Sequence, residues 1–173
     1  DPYIVTDAQS LAELAQMVND GKNADVDVRL DADIVVDGSW EPLGKNSVFP
    51  FKGTFDGNGH SITVTVDNPG LSYFGFFGCL ENAEVKNLTL NGEVYCSEPY
   101  AYVGGLAARA RGNVTLENCV VNMGLSSLAR GNAGTGGFVG GYDKGVEYQT
   151  PSVRLALTNC INNGFIMMTG EDK

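Results

Sequence analysis

Positive charge is scarce in this sequence. Its 173 residues hold 11 Lys and Arg against 21 Asp and Glu, for a formal net charge of -10. Binding a polyanion needs clustered cations. Nucleic acid is therefore excluded as a partner, and an anionic membrane surface is disfavoured for the same reason. Histidine is nearly absent, with His60 the only one. A His-based triad would have to use it. No G-x-S-x-G elbow and no recognisable cysteine nucleophile accompany it, so no catalytic residue is assigned. The four cysteines, Cys79, Cys96, Cys119 and Cys160, show no C-x-x-C spacing and share one histidine. That argues against zinc, and nothing else calls for a metal or cofactor. No apolar run approaches the roughly 18 residues that span a bilayer as a helix. No secretory leader is visible, and the chain opens on Asp1 rather than Met. The reading is a trimmed chain whose targeting signal has been removed.

What is abundant is glycine, 23 residues against 6 prolines. Without a collagen period, that excess points to many tight turns between short strands. The stretch from Phe51 to Val66 shows the grammar. Asp56-Gly57-Asn58-Gly59 is a dense turn signal, because Gly and Asn accept positive φ cheaply. After it Ile62, Val64 and Val66 alternate with Ser61, Thr63 and Thr65, which is strand periodicity rich in β-branched residues.

Before this stretch, Thr6-Asp7-Ala8-Gln9 fits a capping box with Thr6 as cap. Leu11, Leu14, Ala15 and Val18 recur at helical spacing, and Gly21 is a stop. The spacing predicts a helix from about Asp7 to Asn19. Residues 25–37 alternate like a strand, with Val26, Val28 and Leu30 on one side.

After it, glycine phrases repeat at Phe74–Gly78, Val103–Leu106 and Gly136–Gly140. Each precedes a strand signal ending at an asparagine: Asn87, Asn118 and Asn159, which are 31 and 41 residues apart. The longer offset is absorbed by a polar insert from Tyr142 to Pro151, read as a protruding loop. A period of about 30 built of short strands signals a repeat architecture, in which stacking buries what one unit cannot. Strands repeating in one sense are parallel. A propeller needs more strands than this length supplies.

The expectation is all-β: a right-handed parallel β-helix of about five coils. Residues 1–24 form an N-terminal helical cap, and residues 25–173 the repeats. Leu30, Ile34, Phe55, Ile62, Val64, Phe77, Leu88, Leu90, Leu106, Leu116, Val139, Leu157 and Ile161 are expected in the core. No amphipathic cap follows the last strand signal, Phe165 to Thr169. The stack is therefore expected to continue in the native protein, or to self-associate through that end.

The phrases FDGNGHSI, F-F-G, V-K-N-L-x-L-x-G and V-G-G-L, taken together, resemble the GLUG-type repeat. The resemblance runs from about Leu30 to Ile166 and breaks at Tyr95–Tyr102 and Tyr142–Pro151. That repeat occurs in bacterial surface and secreted proteins, including adhesin-like proteins and non-catalytic parts of large surface peptidases. The resemblance implies a non-enzymatic extracellular or cell-surface module, with binding or spacer roles. Its partner would be a host or cell-surface protein or a glycan. Two alternatives stay open: a polysaccharide-active lyase or hydrolase, for which Arg109, Arg111, Arg130 and Glu117 are the nearest candidates, and a structural segment of a larger peptidase.

Tyrosines are the binding candidates. Tyr95, Tyr100 and Tyr102 crowd one irregular stretch, and Tyr142 and Tyr148 the other. Loops on a rigid scaffold carry function, and tyrosine gives contact area at low entropy cost. The aspartates Asp25, Asp27, Asp31, Asp33 and Asp37 read as a solvated strand face rather than a calcium site. Cys119 and Cys160 each follow a repeat asparagine and so should stack. Either a disulfide or an interior ladder of reduced thiols fits that, and the reduced ladder is the expectation. Asn87 and Asn113 match the glycosylation sequon, but the repeat reading makes them stacked turn residues.

Overall fold

The computed structural model describes residues 1–129, 134–143 and 154–168. The chain starts with β1 (Tyr3–Val5), α1 (Ala8–Asn19), β2 (Val28–Leu30) and β3 (Ile34–Ser39). One full coil follows as β4 (Thr54–Asp56), β5 (Ser61–Val66), β6 (Tyr73–Phe74) and β7 (Phe77–Glu81). The next is β8 (Glu84–Lys86), β9 (Thr89–Cys96), β10 (Tyr102–Gly104) and β11 (Ala107–Arg111). Then come β12 (Val114–Glu117), β13 (Val120–Ser127), β14 (Thr135–Gly136) and β15 (Val139–Asp143). A last partial coil holds β16 (Leu155–Thr158), β17 (Ile161–Asn162) and β18 (Phe165–Met168).

Every strand pairing is parallel, and equivalent strands of successive coils stack. The first face runs β1-β2-β4-β8-β12-β16, and the second runs β3-β5-β9-β13 and on to β17 and β18. Two short faces, β6-β10-β14 and β7-β11-β15, close the coil. The result is an all-β parallel solenoid of about four turns with, among the described residues, one short helix; that is one turn fewer than the repeat count suggests.

Register makes the core columnar. Phe55, Val85, Leu116 and Leu157 lie in one row, and Val66, Val94, Leu125 and Ile166 in another. Phe51, Phe55, Phe76 and Phe77 fill the early coils with mostly edge-on or tilted ring contacts. Each fully buried side chain of this size contributes about 1.5–3 kcal/mol. Trp40 lies parallel to Phe76 at 5.4 Å and donates its indole N–H to the Phe76 carbonyl at 2.9 Å.

Ten of the thirteen expected core residues are buried. Val139 is only half-buried, and Leu157 and Ile161 are 44% and 54% exposed. These three lie on the last two coils, where no described coil covers them.

The turn from first face to second is an asparagine in left-handed backbone. Asn58, Asn87, Asn118 and Asn159 all sit at φ of 51–52°. Asparagine tolerates that region where most residues do not. Its amide then serves the stack: Asn118 donates to the Asn87 side chain at 3.2 Å, and Asn87 to the Asp56 carboxylate at 3.1 Å. At the corner between the short faces glycine is needed for close approach. A Cβ on Gly75 would sit 2.8 Å from the Gly104 carbonyl oxygen.

The helix starts where expected, but its box is one residue later. Asp7 caps, accepting from the Ser10 N–H at 2.7 Å, and the Ser10 hydroxyl accepts from the Asp7 N–H at 3.2 Å. A carboxylate suits the positive end of the helix dipole better than the Thr6 hydroxyl. Leu11, Leu14, Ala15 and Val18 are buried over the first coil. Asn19 pins α1 there, donating to the Pro42 carbonyl at 3.0 Å and accepting from the Lys45 N–H at 2.8 Å.

Candidate binding surface

The five tyrosines separate by what their rings do. Tyr95 is on the outer side of β9, and its hydroxyl donates to the Glu93 carboxylate. That hydrogen bond, more than partial desolvation or the charges of Glu93 and Asp67, raises its pKa. Tyr100 is 73% exposed, and among the described residues no partner is recorded for it. Tyr102 opens β10 with its ring engaged on the solenoid wall. It lies 5.8 Å from the Tyr73 ring, with the Arg109 guanidinium 5.1 Å over it. A Cβ on Gly141, one coil on, would meet that ring at 2.8 Å. Tyr142 is not in a loop. It belongs to β15, in the row of the buried Leu80 and Ala110, and its hydroxyl donates to the Gly112 carbonyl at 3.2 Å. Tyr148 and most of its insert fall outside the described residues.

The second face adds a ring that the sequence reading did not single out. Thr65, Glu93, Gly124 and Phe165 form one outward row. The Phe165 ring lies on Gly124, where a Cβ would meet it at 2.7 Å, and it remains 63% exposed. Met167 follows on the same side, in the row of Tyr95 and Ser126. Beside them runs an amide ladder: Asn163 donates to Asn122 and Asn122 to Asn91, each at 3.0 Å. Each amide in such a ladder keeps hydrogen-bonding capacity beyond its neighbour. The strip therefore offers exposed rings beside amide groups, with Glu93 as its charged residue. That chemistry suits the apolar face and hydroxyls of a sugar, or a neutral protein patch. Alternation of Phe165 and Met167 against Ile166 and Met168, one coil after a lone glycine, was the signal for it.

The other candidates are occupied by structural work. Glu81 takes Lys52 at 2.9 Å and also Arg111, whose guanidinium reaches the Ser47 carbonyl at 3.2 Å. Burial alone would raise the Glu81 pKa, but Lys52 and Arg111 outweigh it and hold the carboxyl below its usual range. Arg130 is outside the described residues, so no cluster with Arg109 and Arg111 is described. His60 faces the Asp33 carboxylate at 3.1 Å, and the same oxygen accepts from the Ser61 N–H. The Ser61 N–H and then His60 lower the Asp33 pKa. Asp31 pairs with Arg29, and Asp27 accepts from the Thr54 N–H at 3.1 Å. Among the described residues no three metal-ligating side chains converge. A shallow cavity of about 310 Å³ on the first face is lined by Asp27, Arg29, Thr54, Asp56 and Lys86. Its Asp56 carboxylate is engaged by the Asn58 N–H and the Asn87 amide.

No disulfide joins the four cysteines among the described residues; Cys79, Cys96 and Cys119 are buried and Cys160 is partly exposed. Asn87, one of the two sequon residues, stands in the turn ladder. Asn113 also bridges coils: its side chain accepts from the Arg154 N–H, as Asn82 does from the Asn113 N–H.

No family model matches the chain. A segment of halomucin from Haloquadratum walsbyi is 30% identical over 152 residues, which cover 80% of this chain. The chain spans 2% of the length of that relative. A solved structure of a "putative immunoglobulin A1 protease" from Bacteroides ovatus aligns over 100% of this chain and 80% of its own. Its identity is 16% and its TM-score 0.42. Among the described residues no helix is long and apolar enough to cross a membrane.

Proposed function

We propose that this chain is a non-enzymatic solenoid module of a large extracellular or cell-surface protein. In this reading it is a GLUG-like repeat unit that holds a glycan or protein against its second face. The observation that carries the reading is the grouping of Tyr95 and Phe165 beside the Asn91–Asn122–Asn163 ladder. Tyr100 projects from the loop that follows β9. A flat β wall needs projecting rings for a stable contact, and these rings are not consumed by the frame. Tyr102 and Tyr142 instead serve the frame. The likeness to a segment of halomucin, a mucin by name, supports the surface setting.

The test is a screen of the module against immobilised neutral glycans and surface proteins. Tyr95→Ala and Tyr100→Ala together are expected to weaken a hit at least about tenfold, with the thermal midpoint unchanged. Equal binding by that variant would remove the reading.

The rival reading is a polysaccharide-active enzyme working in the shallow first-face cavity, where two carboxylates and two cations meet. Release of reducing ends or unsaturated products from a uronate polymer, abolished by Lys86→Ala, would favour it.

A further inference from the structure

Cys119 and Cys160 hold the same station in successive coils. Each directly follows a left-handed asparagine, Asn118 at φ 52° and Asn159 at φ 51°. Two backbone hydrogen bonds bracket the pair: Asn118 N–H to the Thr158 carbonyl at 3.0 Å, and Ile161 N–H to the Cys119 carbonyl at 2.9 Å. The next residues, Val120 and Ile161, are direct partners in the parallel ladder. Stacked positions in such a ladder lie about 4.8 Å apart, inside the roughly 4.4–6.8 Å that a disulfide bridges between Cα atoms.

The sulfurs are also poised alike. Cys119 Sγ reaches the Glu117 carbonyl at 3.4 Å and the Val85 carbonyl one coil back at 3.5 Å. Cys160 Sγ reaches the Thr158 carbonyl at 3.4 Å and the Leu116 carbonyl one coil back at 3.3 Å. No other pair of the four shares this relation. Cys96 stacks on Ser127, and Cys79 on Arg109.

We propose that Cys119 and Cys160 are a dithiol pair that closes to an inter-coil disulfide by exchange with a small external disulfide such as oxidised glutathione. Cys160, the partly exposed member, is the entry point. Its thiolate attacks one sulfur of the external disulfide, forms a mixed disulfide and expels one thiolate. The Cys119 sulfur then attacks Cys160 Sγ and expels the second. Two protein thiols are oxidised, one external disulfide is reduced to two thiols, and the two protein protons pass to the leaving thiolates. Burial, with the Cys160 thiol adding to it, pushes the Cys119 thiol up to about 12. The second step is therefore the slow one, and closure should quicken with rising pH.

The sequence makes the test direct, because trypsin places each cysteine in its own peptide. The native chain is incubated with oxidised glutathione, quenched, alkylated in denaturant and mapped without reduction. The expected product is peptide 112–130 joined to peptide 155–173, two hydrogens lighter than their sum. Peptides 53–86 and 87–109, holding Cys79 and Cys96, should be alkylated. Cys119→Ser should stop at a glutathione adduct on Cys160, and Cys160→Ser should leave Cys119 unmodified. Four alkylated cysteines after prolonged incubation would overturn the proposal. So would a wild-type chain that stops at the Cys160 adduct, or links to Cys79 or Cys96.

Discussion

Two side chains concentrate the energetics of single positions. Asn118 combines a left-handed backbone with a cross-coil amide hydrogen bond. Asn118→Ala loses both, at about 1 kcal/mol for the backbone and about 1 kcal/mol for the hydrogen bond. Asn118→Gly should recover only the first part. Urea denaturation of the three proteins should rank wild type above glycine above alanine, and equal midpoints for glycine and alanine would refute the backbone share. Glu81 gives a pH signature. Its folded carboxyl is held below the ordinary value by Lys52 and Arg111. The stability it contributes is thus present above the ordinary carboxylate range, about pH 4.3, and is lost as pH falls through the lowered folded value. Glu81→Gln should be less stable than wild type at neutral pH, and the gap should close on acidification. A gap that stays constant from pH 7 to about 3 would show that the ion pairs are not its source.

At the scale of elements, the cap is the part most open to a decisive change. Helix α1 seals the first coil with Leu11, Leu14, Ala15 and Val18. Leu14→Ala should cost about 3 kcal/mol by cavity formation. Leu14→Asp should expose the first coil and produce concentration-dependent association by light scattering. A monomeric, fully stable Leu14→Asp protein would mean that α1 is not a seal. The element pattern was readable in the sequence because its signals are local. Turn asparagines, alternating β-branched residues and the 3.6-residue apolar spacing of α1 each act within a few residues. The sequence points to Thr6 as the cap because Gln9 stands three residues on, and only three-dimensional geometry shows that Asp7 meets Ser10 instead. The sequence places Tyr142 in a loop because its insert hides the register that sets it in the row of Ala110 and Leu80. Phe165 escaped for a related reason. The room for its ring on the wall is left by Gly124, 41 residues earlier in the chain, and sequence distance conceals that contact.

For the whole molecule, the unevenly buried core sets the order of events. Rows that are sealed at Phe55 and Val85 reach solvent at Leu157. In a polypeptide of these 173 residues, where no described coil covers β16 to β18, the backbone amides of those strands should exchange with deuterium well before those of β5 and β9. Uniform protection along the stack would contradict this. The parallel ladder also has a mechanical meaning. Its inter-strand hydrogen bonds point along the solenoid axis, so tension applied between the cap and the last coil pulls them apart in series rather than shearing them together. The molecule is then a tether that lengthens by peeling one coil at a time, each releasing roughly 100 Å of chain. A force-extension trace should show separate steps of that size at modest load.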